Sequence, residues 1–188
     1  VVKRSLDSVK IDISGGMGTV DIPFLIHNEM ELEELRKKVA NGNTFQDFYF
    51  KVADDVVKFT LENHIAIGSV QTPFYGSFNG NNAEFNIRIS NDLDNQGLFG
   101  YFGIGTIENL YVTGNVKGKN NVAGVVGYKV SGLVRNVYNL AEIEGQTQVA
   151  GIVGYNGSGR ITETFNNGKI TGTGNYIGGI LGNGYYKT

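Results

Sequence analysis

Acidic side chains that could bind a metal occur together in one segment. Asp92 and Asp94 stand at alternate positions before Gly97, as the acids of a calcium-binding EF-hand loop do. The twelfth position of such a loop would be Gly103, where a bidentate glutamate is required. We therefore favour a polar turn over a calcium site and predict no metal centre.

Paired carboxylates, the groups that cleave glycosidic bonds, have one candidate. Glu142 and Glu144 would lie on the same side of a strand, because side chains alternate along β-structure. The equivalent residues one repeat earlier are Asn115 and Lys117, so a solvated face is the stronger interpretation. We predict no catalytic residue here, and polysaccharide cleavage remains an alternative.

Histidine and glycine patterns also give weak signals for chemistry. His27 and His64 are far apart in the sequence and neither has a second histidine nearby, so a zinc site or a catalytic triad would need distant partners. The segments 103–105 and 157–159 begin like phosphate-binding loops but lack the third glycine. We predict that these glycines are structural and that no cofactor is bound.

Tyrosine recurs at 27-residue intervals at Tyr101, Tyr128 and Tyr155, which we name the Tyr101 column. If these side chains point outward, they form a ladder at the strand spacing of about 4.8 Å, on which a sugar or a peptide could stack. If they point inward, they belong to the core.

A second aromatic column consists of Tyr111, Tyr138 and Phe165, and we name it the Tyr111 column. It loses its hydroxyl in the third unit, which favours burial. The Tyr101 column instead ends at Asn183, a residue that tolerates exposure. We therefore place the candidate ligand-binding face on the Tyr101 column.

These aromatic residues belong to a repeat. Its most regular feature is a pair of glycines three residues apart, which recurs every 27 residues and finally after 28. The glycines are Gly97, Gly100, Gly124, Gly127, Gly151, Gly154, Gly179 and Gly182. A fixed period of this size indicates a solenoid built of stacked structural units.

The composition of each unit favours β-structure. Short runs rich in Val, Ile and Tyr alternate with Gly and Asn, which suits three short strands and three turns in 27 residues. Stacked units would bury equivalent apolar residues against one another, and Asn109 and Asn136 could bond their amides along the stack. The glycines would occupy turns of positive φ or points of close approach between coils. We predict an all-β, right-handed parallel β-helix with an N-terminal α-helical cap.

Residues 1–64 lack the repeat and are predicted to form a capping region with a strand at 9–13 and irregular first coils. A helix is predicted over 28–41, with Asn28 as its N-cap and Met30, Leu32, Leu35 and Val39 on one face. Residues 65–188 are the repeats. The last unit lacks its outer strands, so we expect further coils or domains of the same parent chain beyond it.

Charge and composition exclude some partners. There are 16 Lys and Arg residues against 18 Asp and Glu, and this balance provides no basic surface for nucleic acid. No apolar run approaches the length of about 18 residues that a membrane span needs. The absence of cysteine leaves the compartment open.

The repeat units resemble the GLUG repeats of bacterial surface proteins. The resemblance rests on the segments 121–127 with 133–138 and 148–154 with 160–165, and on a lead-in coil at 72–80 and 85–89. It implies a non-catalytic, secreted or cell-surface β-solenoid that serves adhesion, binding or spacing, with a host glycan or surface protein as partner. The non-catalytic N-terminal part of a secreted metalloprotease of the IgA1-cleaving type is an alternative that the same resemblance implies.

Overall fold

A computed structural model of the protein describes Ile13 and residues 15–185, and the strand predicted at 9–13 lies almost entirely outside this part. Sixteen short strands and one helix make up the described chain. Their bounds are β1 Phe24–Ile26, α1 Glu29–Ala40, β2 Tyr49–Val52, β3 Lys58–Leu61, β4 Ser77–Ser90, β5 Phe99–Phe102, β6 Thr106–Lys117, β7 Asn120–Ala123, β8 Val126–Lys129, β9 Leu133–Asn139, β10 Glu142–Gly145, β11 Thr147–Ala150, β12 Val153–Asn156, β13 Arg160–Asn166, β14 Ile170–Gly172, β15 Ile177–Gly178 and β16 Leu181–Gly184.

The strands form three parallel sheets that wind into a β-solenoid of about six turns. Strand pairing follows the sequence period, because Val126 pairs with Val153 and Tyr128 pairs with Tyr155, each 27 residues further on. A different step occurs at the start of β4, where the pairing with β6 changes between Asn79 and Ala83 because a bulge in β4 holds two extra residues. The predicted all-β solenoid is confirmed.

Each regular coil contains four strands rather than the predicted three. In one coil these are β7, β8, β9 and β10, and the last two belong to the same sheet. They are separated by a turn at Asn139, whose carboxamide accepts a hydrogen bond from the Ala141 amide and donates one to the Ala141 carbonyl. The bend at Asn139 divides one face of the coil into two strands, β9 and β10, but both strands stay in the same sheet. Each coil therefore has four strands but only three sheets.

Apolar residues at equivalent positions stack along the axis and form the core. Phe99, Val126 and Val153 make one fully buried column, and Ile107 stacks with Val134 in another. Complete burial of such a side chain contributes about 1.5–3 kcal/mol to folding, so these columns dominate the stability of the solenoid.

Helix α1 packs against the first coil with one face. Leu32, Leu35 and Val39 are buried there, but Met30 is 78% exposed, so its predicted place on the packed face is wrong. Asn28 caps the helix as predicted, with its side chain accepting a hydrogen bond from the Glu31 amide at 3.0 Å.

The helix also satisfies an open edge of the solenoid. Among the strands of the described chain, β3 pairs only with β4, and the backbone amide of Thr60 on β3 donates to the Glu29 carboxylate at 2.9 Å. This contact ties the first turn of α1 to unpaired strand backbone, which is what a cap of a solenoid end has to do.

Asparagine, rather than the paired glycines, occupies two left-handed corners of the coils, and the glycine column of Gly105, Gly132 and Gly159 occupies a third. Asn109 and Asn136 have φ values of 55° and 48°, and Asn95 and Asn121 have 57° and 53° at a second corner. Asparagine tolerates this conformation better than other residues with a side chain. The two columns end in Glu163 and in Gln148 with Tyr176, which also have positive φ.

The paired glycines are needed because adjacent backbone approaches them closely. A Cβ atom on Gly127 would lie 2.6 Å from the carbonyl carbon of Asn95, and one on Gly154 would lie 2.7 Å from that of Asn121. None of the eight has a positive φ, so close approach, and not turn conformation, explains them. Gly179 alone has no neighbour nearer than 4.0 Å.

Hydrogen-bonded side-chain amides run along the corners as predicted. Asn136 donates to the Asn109 side chain at 2.7 Å, and Asn109 donates to the Asn79 side chain at 3.2 Å. Along a second line, Asn139 donates to the Asn166 side chain at 2.7 Å. These ladders join successive coils independently of the sheets.

Candidate ligand-binding face

The Tyr101 column lies on the sheet formed by β5, β8, β12 and β16. Its three side chains are partly exposed, so they form an ordered row on the surface rather than a core column. The ring centroids of Tyr101 and Tyr128 are 4.7 Å apart with planes 1° apart, and those of Tyr128 and Tyr155 are 4.6 Å apart. Parallel pairing of the strands sets this spacing, because each tyrosine sits directly beside its equivalent in the next coil.

Stacking within the row uses the faces of the rings. Tyr128 has Tyr101 against one face and Tyr155 against the other, so no further ring can stack on it. The outward part of each side chain is therefore its edge and its hydroxyl. A sugar therefore cannot stack on the face of Tyr128, contrary to the prediction that the rings of this ladder offer their faces to a ligand.

Two more tyrosines lie at the ends of the row. Tyr185 meets Tyr155 edge to face, with ring centroids 6.4 Å apart and planes 88° apart. Tyr75 lies over Gly103, where a Cβ atom would come within 2.4 Å of its ring.

Partial burial raises the pKa of all three column members. For Tyr101 the neighbouring Tyr75 adds to the effect of burial on the pKa, and for Tyr155 the neighbouring Tyr128 does so. A phenol is protonated at neutral pH even without these shifts, and its hydroxyl can both donate and accept a hydrogen bond. The hydroxyls of Tyr128 and Tyr155 also interact with each other.

The sheet that carries the row offers no charge to solvent. Its four strands hold one charged residue, Lys129, and that side chain is fully buried. Lys129 continues the column of Phe102 and points into the core, where its ammonium donates to the Asn156 side chain at 2.8 Å and to the carbonyl of Ser158. Burial lowers the pKa of Lys129 to about 8.

Lys129 is a feature that the sequence interpretation missed. The available signal was a lysine at a repeat position that holds Phe102 one coil earlier. Alternation after the partly exposed Tyr128 would turn Lys129 inward, but its charge favours a surface position. Strict alternation also fails in this strand, because Val126 is buried although it lies two residues before Tyr128.

The Tyr111 column is also on the surface, contrary to the predicted burial. Tyr111 and Tyr138 are partly exposed and stacked with centroids 4.8 Å apart, and Phe165 is 52% exposed. Phe165 tilts away from Tyr138, with planes 51° apart. Phe165, the member of this column that lacks a hydroxyl, is therefore the exposed one and not a buried one.

The other candidate groups make contacts within the fold. Glu142 and Glu144 are both exposed on β10, and Glu144 pairs with Lys117 at 2.7 Å. The carboxylate of Asp94 accepts from the side chain of Asn120 at 2.9 Å, which joins two coils. His64 lies 3.0 Å from the Leu98 carbonyl through Nε2, and burial lowers the pKa of His64.

Neither a cluster of metal ligands nor a membrane-spanning helix occurs in the described chain. Residues 15–185 with Ile13 contain no cluster of three or more His, Asp or Glu side chains placed to hold a metal ion. The same part of the chain has no helix with the length and apolar character needed to cross a bilayer.

A cavity of about 800 Å³ opens at the C-terminal end of the described solenoid, between β13 and β16. Ile161 and Leu181 line it, and both occupy repeat positions that are fully buried in earlier coils. The cavity is therefore the open end of the core itself and not a pocket built around a separate ligand.

Comparisons with protein-family models, with curated proteins and with solved structures gave no match to this chain.

Proposed function

We propose that this chain is a non-catalytic β-solenoid module that binds a glycan or a protein through the Tyr101 column. One observation carries the proposal: three partly exposed tyrosines stand in register, 4.6–4.7 Å apart, on a hydrogen-bonded sheet. Tyrosine provides large contact area with few rotatable bonds, and stacking on neighbours reduces the freedom lost on binding.

The proposed setting is the cell surface or the extracellular space. The resemblance of the repeat units to GLUG repeats supports this location. The strand ladders and asparagine ladders join the coils without disulfides, so the fold would not depend on the redox state of that compartment. In that setting the module would also space or present other domains of its parent chain.

A paired substitution tests the proposal. Tyr128→Ala removes the central ring of the Tyr101 column, and Tyr138→Ala removes a stacked, partly exposed ring of the Tyr111 column. Wild-type protein is screened against arrays of glycans and of surface proteins, and the affinity of each variant for any captured ligand is measured by biolayer interferometry.

We expect Tyr128→Ala to weaken binding at least about tenfold, as central interface tyrosines do, while Tyr138→Ala leaves it unchanged. Equal losses in the two variants, or full affinity in Tyr128→Ala, would contradict the assignment of the face. Release of reducing sugar from a polysaccharide, lost in Glu142→Gln, would contradict the non-catalytic assignment.

A further inference from the structure

We infer that the ligand of the Tyr101 column is an uncharged, polyhydroxylated glycan chain that is held by phenolic hydroxyls and ring edges rather than by stacking on ring faces. This inference rests on the proposed function and specifies the chemistry of the same site. Three features of the face support it: the orientation of the rings, the spacing of the rings that carry the hydroxyls, and the absence of exposed charge on the four strands.

Ring orientation excludes recognition by stacking at the centre of the row. Both faces of Tyr128 are covered, by Tyr101 at an interplanar angle of 1° and by Tyr155 at 24°. A sugar ring can reach Tyr128 only at its edge and its hydroxyl. The energy of binding must then come from hydrogen bonds and edge contacts along the row.

The hydroxyls suit a partner that offers hydrogen-bonding groups at close intervals. Successive phenol rings follow the coil spacing, and a phenol is protonated at neutral pH and so can act as a donor. An extended peptide presents its side chains and its free backbone groups on one side only every second residue, or about 6.6 Å. That repeat does not match 4.7 Å, whereas hydroxyls project from every sugar of a glycan chain.

The lack of exposed charge on the sheet favours neutral glycans over anionic ones. Lys129 is the one charged residue of the four strands, and its ammonium is committed to Asn156 and Ser158 inside the fold. Uronates and sulfated sugars would lose hydration on this sheet without gaining an ion pair. A neutral chain loses much less, so it binds preferentially.

Removal of single hydroxyls tests the inference. The variants are Tyr128→Phe and Tyr101→Phe, which keep the stacked ring, with Tyr138→Phe as the control from the Tyr111 column. The probes are soluble β-glucan, galactomannan and dextran as neutral chains, and heparin and alginate as anionic chains. Affinity gel electrophoresis measures retardation at low and at high salt, and circular dichroism confirms that each variant is folded.

We expect retardation by at least one neutral chain, none by the anionic chains, and little change at high salt. Each Tyr→Phe change in the Tyr101 column should raise the dissociation constant about five- to tenfold, because one hydrogen bond is lost, while Tyr138→Phe should not alter it.

Neutral binding that survives Tyr128→Phe and Tyr101→Phe but is lost in Tyr128→Ala would overturn the inference in favour of ring contacts alone. Preferential, salt-sensitive binding of heparin or alginate would overturn it too. If no glycan binds but a protein does so through Tyr128, the inference fails and the proposed function stands. If neither class of ligand binds through the column, both fail.

Discussion

Replacement of Lys129 by methionine should remove a pH dependence of stability that the fold imposes on this chain. The lysine side chain is fully buried, and its described partners are the neutral oxygens of Asn156 and Ser158. Burial without a carboxylate lowers the pKa of Lys129 from 10.5 to about 8. The protonated form is therefore less favourable in the folded than in the unfolded chain by about 3 kcal/mol.

The sign of the effect follows from the two protonation states. Below pH 8 both the folded and the unfolded chain carry the proton, and the full penalty applies. Between pH 8 and 10.5 the folded chain releases the proton before the unfolded chain does, so the free energy of unfolding rises with pH. From pH 7 to 9.5 this rise amounts to about 2 kcal/mol. The upper limit avoids the range in which the tyrosines ionise and reduce stability, because their pKa values are raised in the fold.

Urea denaturation at several pH values between 7 and 9.5 measures the effect. We expect the free energy of unfolding of wild type to increase relative to Lys129→Met by about 2 kcal/mol over this range. Lys119→Met, which removes an exposed lysine, should retain the dependence of wild type. The test lies in how the free energy of unfolding changes with pH, and not in its absolute value, because methionine also leaves the oxygens of Asn156 and Ser158 without their donor. An identical slope in wild type and Lys129→Met would refute the assignment of a buried, weakly basic lysine.

The remaining predictions concern the corners of the coils and are measured by thermal and urea denaturation. Glu163→Asn should stabilise by about 0.5–1 kcal/mol, since Glu163 has φ of 53° and asparagine would extend the ladder from Asn136; a loss of stability would contradict this. Gln148→Asn should add about 1 kcal/mol by giving the buried Asn121 Oδ1 its missing donor, and an unchanged melting temperature would count against that partner. Gly127→Ala should destabilise by about 3 kcal/mol because its Cβ would meet backbone, and full stability would show that the coils can separate at no cost.

The architecture follows from sequence periodicity because parallel stacking places each residue beside its equivalent one repeat away. The pairing of Tyr128 with Tyr155 and the amide bond between Asn109 and Asn136 could both be predicted from a step of 27 alone. The helix was predictable for a similar reason, since its cap at Asn28 is a local interaction. The assignment of faces from sequence was less successful: Met30 is exposed although the helical pattern put it on the packed face, and the Tyr111 column is on the surface although the loss of its hydroxyl favoured burial.

The sequence by itself thus determined the period, the columns and the tyrosines that share one of them. Only the tertiary structure decided which way each column points, because a side chain's direction near a corner depends on how the backbone bends there. That bend placed Lys129 in the core, put asparagines rather than the paired glycines in left-handed conformation, and turned the ring edges and hydroxyls of the Tyr101 column toward solvent. A one-dimensional repeat specifies which residues are neighbours along the axis but not the path of the chain around it.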